Sequence, residues 1–357
     1  MSHLHAIKKA TSPYSKPKPV KKVFVAGVGA VGCTLIQQLE NQPTLRVVGF
    51  CNSRHVQWFG SEEAYYQRKE LQTSPDKEWD EILHKLATYK QGSVVFVDAT
   101  GSPEVASLYP QLLKNQIHIV TPSKLANTQS QENFDQLHKL ANDYGVDFHY
   151  ETNVGAGLPI VNTIKNLIAS GDEILEISGV VSGTMTYLFS ELERGASFSE
   201  TVNKARTLGY AEPDPRDDLS GEDVARKFLI LARICGNQLE RDDIIVESLI
   251  PDHLQDVDAS KFLACLAESD DKWQDNIQSE KNNERVLRYT GKLSNGKIKV
   301  GIEAVPKLSA LGSLTGTTNL ITIKTRRYSD QPLVIQGPGA GKEVTAAGVL
   351  VDILKID

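Results

Sequence analysis

The apolar positions of this chain change period as it runs, and those changes mark its elements. Lys21-Lys22 leads into the short apolar run Val23–Ala26, which reads as a strand. A glycine turn follows, and Leu35, Ile36 and Leu39 then recur at helical spacing. Leu45–Phe50 reads as a second strand, and the fully apolar Val94–Val97 as a strand buried on both faces. Ile117–Val120 predicts the next strand, and a helix from about Gln129 to Tyr144 leads to a last one at Val146–Tyr150. Strands alternating with helices in this way predict a doubly wound parallel sheet. Beyond Glu151 the pattern changes. A turn of glycines precedes a helix that opens near Pro159 and ends near Gly171. Leu175–Val181 is β-rich, Gly183–Arg194 is helical, and so is the run through Phe228, Leu229, Leu231 and Ile234. Arg285–Leu293, Ile298–Val305 and Asn319–Arg326 alternate as antiparallel strands do. A loop rich in Gly, Ser and Thr at Leu308–Thr318 separates the last two. Val334–Gln336 and an apolar helix from Val344 to Leu354 close the chain.

The first glycine turn is Gly27-Val28-Gly29-Ala30-Val31-Gly32, a G-x-G-x-x-G set between a strand and a helix. The first glycine permits the tight turn, the second lets a pyrophosphate approach the backbone, and the third lets helix and strand pack closely. The helix N-terminus adds N–H donors and partial positive charge for phosphates. Together they predict a dinucleotide site on a Rossmann-type sheet. An NAD-selective site has an acid about 20 residues further on, for the ribose 2′-OH. Here the second strand ends Cys51-Asn52-Ser53-Arg54, which offers donors and a cation suited to a 2′-phosphate. NADP(H) is the preferred expectation and NAD(H) the second, although Arg54 also reads as a solvated loop residue. Thr100 and Gly101 follow the carboxyl end of the third strand, where ligands bind in open α/β sheets. Lys124 follows the fourth, and reads either as a residue facing the cofactor crevice or as a surface charge. A second glycine turn, Gly337–Lys342, lacks the length and residue order of a P-loop. It reads as a return crossing that packs the last helix on the first domain and lays Gly339 over the cofactor.

Composition acts mainly by exclusion. The 357 residues suit about two domains. We expect a flexible extension over residues 1–20 and a dinucleotide-binding domain over 21–150 that is completed by 336–357. A second, α+β domain should span 151–335. Ser61–Thr88 reads as an insertion of one or two helices with no chemistry attached. A net charge of −6 argues against a general nucleic-acid binder. No apolar run reaches the ~18 residues of a membrane span. Cys33, Cys51, Cys235 and Cys265 are scattered, with neither metal nor disulfide spacing, so reduced thiols in a cytoplasmic protein are expected.

The chemically richest stretch is Leu208–Lys227, with Glu212, Asp214, Asp217, Asp218, Glu222 and Asp223 beside Pro213 and Pro215. The prolines predict a stiff, non-helical acidic loop. Ser220, three residues before Asp223, predicts a capped helix start. Asp223 and Lys227 then share one helix face. This reads either as a capped surface helix with an ion pair, or as a site. In the second reading Glu212 and Asp223 hold a cationic substrate group and Lys227 meets a carbonyl. Glu151, beside the turn Val154-Gly155-Ala156-Gly157-Leu158, leaves a similar choice between a monovalent-cation site and a turn with a capping acid.

Taken together, G-V-G-A-V-G, T-P-S-K-L-A, E-T-N-V-G-A-G-L-P-I, S-G-T-M-T-Y, G-Y-A-E-P-D-P-R-D-D-L-S-G-E-D-V-A-R-K and G-P-G-A-G-K-E-V-T-A-A-G-V closely resemble homoserine dehydrogenase, from about Val23 to Ile356. The resemblance implies reversible NAD(P)H-dependent reduction of L-aspartate 4-semialdehyde to L-homoserine, in the biosynthesis of threonine, methionine and isoleucine. It implies catalytic positions at Lys227 and Lys124, and substrate binding at Glu212 and Asp223. The backbone amides around Gly183 and Thr184 suit the substrate carboxylate. Cofactor contacts are expected at Gly27, Gly29, Ala30, Val31, Gly32, Asn52, Ser53, Arg54, Thr100, Gly101, Lys124 and Gly339. The resemblance further implies a Na⁺ or K⁺ site at Glu151 with the carbonyls of Val154, Ala156 and Leu158, and a homodimer formed through the catalytic second domain. Some relatives carry an aspartokinase domain in front and others a regulatory domain behind, so a monofunctional form without a built-in threonine sensor is expected. An acyl-enzyme chemistry such as that of aspartate-semialdehyde dehydrogenase needs a nucleophilic cysteine with a histidine partner, and none of the four cysteines sits in a loop that invites it.

Overall fold

The computed structural model describes residues 20–60 and 71–356. The expected N-terminal extension and the Ser61–Glu70 part of the insertion lie outside the described residues. The rest of the insertion forms a 3₁₀ turn, Leu71–Thr73, and a helix, Trp79–Ala87.

Six strands make the first sheet: β1 (Lys21–Ala26), β2 (Leu45–Cys51), β3 (Val56–Trp58), β4 (Val94–Asp98), β5 (His118–Val120) and β6 (Phe148–His149). Their order is β3-β2-β1-β4-β5-β6. All neighbours are parallel except β3, which pairs antiparallel with β2 at the edge. The sequence reading has no strand at β3, because three residues are too few to show a period. Successive side chains of a strand go to opposite faces, and β1 uses both. Val23 and Val25 pack with Leu35, Ile36 and Leu39 of the helix Ala30–Leu39, and with Ala346, Val349 and Ile353 of the last helix, Lys342–Lys355. Phe24 and Ala26 join the large core on the other side. Full burial of a side chain of this size contributes ~1.5–3 kcal/mol, so both faces hold the sheet. The last helix thus packs on the first sheet. Gly348 permits the close crossing, since a Cβ there would fall 2.5 Å from the Thr152 methyl.

The second sheet contains β7 (Ile174–Val180), β8 (Ile245–Val246), β9 (Arg285–Ser294), β10 (Lys297–Pro306), β11 (Thr318–Thr325) and β12 (Leu333–Pro338). Its order is β12-β11-β7-β9-β10-β8, antiparallel except for β8 on β10. Helices cover one face. A Cβ at Gly291 would meet the Phe228 ring at 2.1 Å, which is how closely the helix Glu222–Ile234 lies on β9. On the other face Lys299, Lys324, Val334 and Gln336 are exposed.

The helix Glu222–Ile234 also ties the two halves together. Arg233, buried on it, donates to the carbonyls of Asn127 (2.9 Å) and Gln129 (2.7 Å), on and just beyond the short helix Leu125–Thr128 that follows Lys124. From the other side Glu151 N–H donates to Asp352 on the last helix at 2.9 Å.

The acidic stretch differs from its expected form. It is not loop throughout, because Arg216–Leu219 is a short helix. Proline is tolerated at the start of a helix, where its missing N–H costs nothing. Pro215 therefore begins this one, and the Asp214 carboxylate accepts from Arg216 N–H. Nor does Ser220 cap the next helix. That position is Gly221, in the left-handed region at φ +78°, so the two helices meet at a corner. Any side chain at Gly221 would strike the Tyr289 hydroxyl.

Candidate functional site

The glycine turn Gly27–Gly32 is tight and closely packed. Gly27 sits at φ +95°, and a Cβ there would fall 2.7 Å from the Ala99 carbonyl. A Cβ at Gly32 would fall 1.9 Å from the Gly27 carbonyl, so the third glycine is a packing requirement. Gly29 faces open space, as the approach of a pyrophosphate demands. Ala30 and Val31 open the helix that points its N–H groups there. Gly27 and Gly29, with Val28 between them, form one wall of a cavity of ≈ 550 Å³. Asn52 and Ser53 line it from the end of β2, and Thr100 from the end of β4. The residues present therefore fit a dinucleotide.

Side-chain partners set the shape of the rim. The Asn52 side-chain oxygen accepts from Arg54 and His55 N–H, both at 2.7 Å, and so holds the turn in which Ser53 and Arg54 are exposed. Thr100 N–H and hydroxyl both donate to buried Asp98, which also accepts from Tyr109. Gly101 follows in the left-handed region at φ +70°. The sequence reading attaches no chemistry to the insertion, yet Lys77 from it lines the same cavity. The Lys77 ammonium lies 3.3 Å from Glu104 and over the Trp79 ring. No local pattern marks Lys77; only the fold brings it to Ser53.

A second cluster gathers around Asp223. One carboxylate oxygen lies 2.7 Å from the Lys227 ammonium and the other 3.2 Å from that of Lys124. Lysines from the two halves of the molecule thus meet on one carboxylate. Lys227 is 9% exposed and also donates to the Val181 carbonyl at 2.7 Å, so it is not half of a surface ion pair. Burial on its own raises the Asp223 carboxyl. The two ammonium groups outweigh that and hold it well below the usual carboxylate range. Burial lowers the Lys227 ammonium; Asp223 opposes this and Lys124 adds to it.

The substrate candidates adjoin this cluster through a residue with no assigned role in the sequence reading, Asp218. Its carboxylate accepts from Glu212 N–H at 2.8 Å and lies 2.9 Å from the Thr184 hydroxyl. Burial raises the Asp218 carboxyl against those hydrogen bonds. Thr184 also lies 2.5 Å from the Tyr210 carbonyl. Gly183 and Thr184 begin the helix Gly183–Glu193, whose N-terminal amides favour an anion. Glu212 joins through its backbone, and its side chain is exposed. Gly339 abuts Asn319, with no room for a side chain.

Glu151 acts as a cap. Its carboxylate accepts from Val161 N–H (2.7 Å) and Asn162 N–H (2.9 Å), at the start of the helix Val161–Ala169. The turn that follows Glu151 carries Gly155 and Ala156 in the left-handed region, at φ +75° and +53°. Val154 and Ala156 are buried and Leu158 half-buried. The hydrogen bonds of Glu151 lead to Asp352 and Asn162, not to Asp223. All four cysteines are unpaired. Burial pushes the thiols of Cys51 and Cys235 up to about 12, the reverse of what a nucleophile needs. No helix among the described residues is long and apolar enough to cross a membrane.

Comparison with known proteins places these features in a family context. The family model "Homoserine dehydrogenase" matches residues 159–354, and the model of its NAD-binding domain matches residues 27–151. A bifunctional aspartokinase/homoserine dehydrogenase of Haemophilus influenzae is 39% identical over 99% of this chain, which spans 44% of that relative. The chain thus covers less than half of such bifunctional relatives. The homoserine dehydrogenase of Emericella nidulans is 37% identical, over 93% of this chain and 97% of its own. A crystal structure of a Candida auris protein of unknown function shares 35% identity with a TM-score of 0.87, covering 94% of this chain and 98% of that one. A hyperthermophilic archaeal homoserine dehydrogenase, solved in complex with NADPH, is 22% identical and shares the fold with a TM-score of 0.70, over 94% and 97% of the two chains.

Proposed function

The chain belongs to the homoserine dehydrogenase family, NAD(P)-dependent oxidoreductases, and on that premise we propose that it interconverts L-homoserine and L-aspartate 4-semialdehyde with NADP(H). The observation that carries the reading is the meeting of Lys124 and Lys227 on Asp223. Residues 21–150 with the last helix would hold the cofactor and residues 151–335 the substrate.

When bound, NADPH supplies a hydride to the aldehyde carbon. Negative charge then builds on the aldehyde oxygen, and two adjacent ammonium groups stabilise it. Lys227 gives that oxygen its proton, completing the alcohol, and takes it back in the oxidative direction. Asp223 opposes the lowering of Lys227 by burial and aims both lysines. Glu212 and Asp218 suit the substrate ammonium, and the amides at Gly183 and Thr184 suit its carboxylate. On the cofactor side Gly27, Gly29, Ala30, Val31 and Gly32 would take the pyrophosphate; Thr100 lines the cavity, and Gly101 and Gly339 would approach the bound cofactor.

The preference for NADP(H) rests on Ser53 and Arg54 at the end of β2, with Lys77 behind them. NADPH accompanies the archaeal relative of like fold. Arg54→Ala should raise the KM for NADP⁺ several-fold and leave that for NAD⁺ nearly unchanged, measured as homoserine-dependent reduction of the two side by side. Equal changes for both cofactors remove Arg54 from the 2′-phosphate site.

The monovalent cation is a separate proposal. Glu151 and the carbonyls of Val154, Ala156 and Leu158 would hold Na⁺ or K⁺ beside the last helix. The strained left-handed Ala156 supports a turn shaped for a purpose. Replacing every such ion by tetramethylammonium should lower both activity and melting temperature; no change in either retires the site.

A homodimer would bury the uncovered face of the second sheet, where the Lys292–Glu176 pair (3.0 Å) and exposed Val334 lie. Sedimentation equilibrium of the full chain should give twice the single-chain mass, and a single-chain mass contradicts it. A cytoplasmic site of action rests on the four free thiols.

A further inference from the structure

Lys124 and Lys227 meet on Asp223 only while two segments from different halves of the molecule keep one spacing. Arg233 is placed to keep it. It lies on the helix that carries Asp223 and Lys227, about 15 Å along the axis from Asp223 at the helical rise per residue. The residue is 3% exposed. A guanidinium has five N–H donors in a fixed planar fork, and here all five are used. Nη1 donates to the carbonyls of Asn127 (2.9 Å) and Gln129 (2.7 Å). Nε and Nη2 share the Leu239 carbonyl at 3.1 and 2.9 Å, and Nη2 also donates to the Glu240 carboxylate at 3.1 Å. The two sets of acceptors are themselves joined. Gln131 N–H donates to Glu240 at 2.8 Å, and Leu239 N–H to the Gln131 side-chain oxygen at 3.3 Å. One planar group therefore fastens residues 127–131 to residues 233–240.

The carbonyls that Arg233 holds belong to the segment that carries Lys124. The Lys124 carbonyl accepts from Asn127 N–H at 3.1 Å and from the Thr128 hydroxyl at 3.0 Å, so this lysine is built into the turn of the helix Leu125–Thr128. Behind it, the Asn127 amide donates to Asn153, whose own amide donates to the Thr121 carbonyl, both at 2.9 Å. The segment is thus fixed to the helix Glu222–Ile234 at two points, Lys124 on Asp223 and the Arg233 fork. The first is a partly exposed ion pair at 3.2 Å, a weak fastener. The second is buried and bonded five times over, so the position of the segment comes from it. We infer that Arg233 is a positioning residue, which holds Lys124 at the distance from Asp223 that lets both lysines meet one substrate oxygen. Its role rests on the reading of Lys124 and Lys227 as catalytic.

The test is a double-mutant cycle on the full chain, read in kcat for homoserine oxidation at a temperature where melting curves show every variant folded. Arg233→Lys keeps the charge but has one nitrogen, which cannot span both sets of carbonyls. It should lower kcat about ten- to a hundredfold, the cost of a catalytic group displaced by about an ångström. The KM for homoserine should change by less than about twofold, since the substrate's own binding groups are untouched. In a Lys124→Ala background the same substitution should cost less than about twofold in kcat, because no Lys124 is left to misplace. Should Arg233→Lys not fold, Glu240→Gln, at an exposed side chain, loosens the same guanidinium. It should lower kcat several-fold in the wild type and leave it unchanged in Lys124→Ala. Equal factors in the two backgrounds, or wild-type kcat in the folded variant, overturns the inference and makes Arg233 a tie between the two halves and nothing more. Wild-type kcat in Lys124→Ala alone overturns the assignment of Lys124, and this inference with it.

Discussion

Lys227→Ala should lower kcat for homoserine oxidation by ~10²–10⁴-fold, the usual cost of losing a positioned proton-transfer group. The ammonium it removes is buried, held by Asp223 at 2.7 Å and by the Val181 carbonyl at 2.7 Å, and so arrives at the reaction already oriented. Preorganised charge of this kind acts on the transition state more than on the bound ground state. The loss should therefore appear in kcat rather than in the KM for homoserine. Steady-state kinetics on a variant that melts as the wild type does is the measurement. A folded Lys227→Ala retaining near-native kcat would make the residue a structural cation.

Asp223→Ala should do comparable damage by a different route, on the order of 10²-fold in kcat, since it disorients a proton donor without deleting it. It leaves two ammonium groups facing each other without a counterion. Lys227 is already lowered by burial, and Asp223 is what opposes that fall. Its removal should drive Lys227 lower still, so the rise of homoserine oxidation with pH should move to lower pH in the variant. The carboxylate itself is depressed below the usual 3.8. Its contribution to stability is therefore fully present above that value and is lost only as pH falls through the lowered one. The clamp is intact at neutral pH. An Asp223→Ala enzyme with wild-type kcat and an unmoved pH profile would show that the lysines need no shared carboxylate.

Local chemistry made the cofactor half legible. Strand, glycine turn and helix are adjacent in the chain, so G-V-G-A-V-G announces its own geometry, and the apolar run of β4 announces burial on both faces. The Asp223–Lys227 pair was equally legible at helical spacing, four residues apart. What the spacing could not distinguish was a surface pair from a buried one, because Val181 and Lys124 reach it from distant parts of the chain. Asp218, Lys77 and Arg233 escaped for the same reason. Asp218 gains its meaning from Thr184, 34 residues away, and Arg233 from the Asn127 carbonyl, 106 away. Each looks like an ordinary surface charge until the fold supplies its partner. The short helix after Pro215 was missed differently. Proline breaks a helix interior but starts one at its first turn, so the residue alone does not say which. Glu151 shows the converse, since the capping acid, one of its two readings, is what the hydrogen bonds describe.

The pH dependence of homoserine-driven NADP⁺ reduction, followed by nicotinamide absorbance in the wild type and in Lys227→Ala, bears most directly on the claim that Lys227 moves the proton. In the oxidative direction the lysine must be neutral to accept it, so the rate should climb with pH and level off below the usual lysine value of 10.5, because burial lowers this group. The residual activity of Lys227→Ala should lack that limb. A wild type with no homoserine-dependent reduction, or a variant that keeps the same limb at the same pH, would contradict the account.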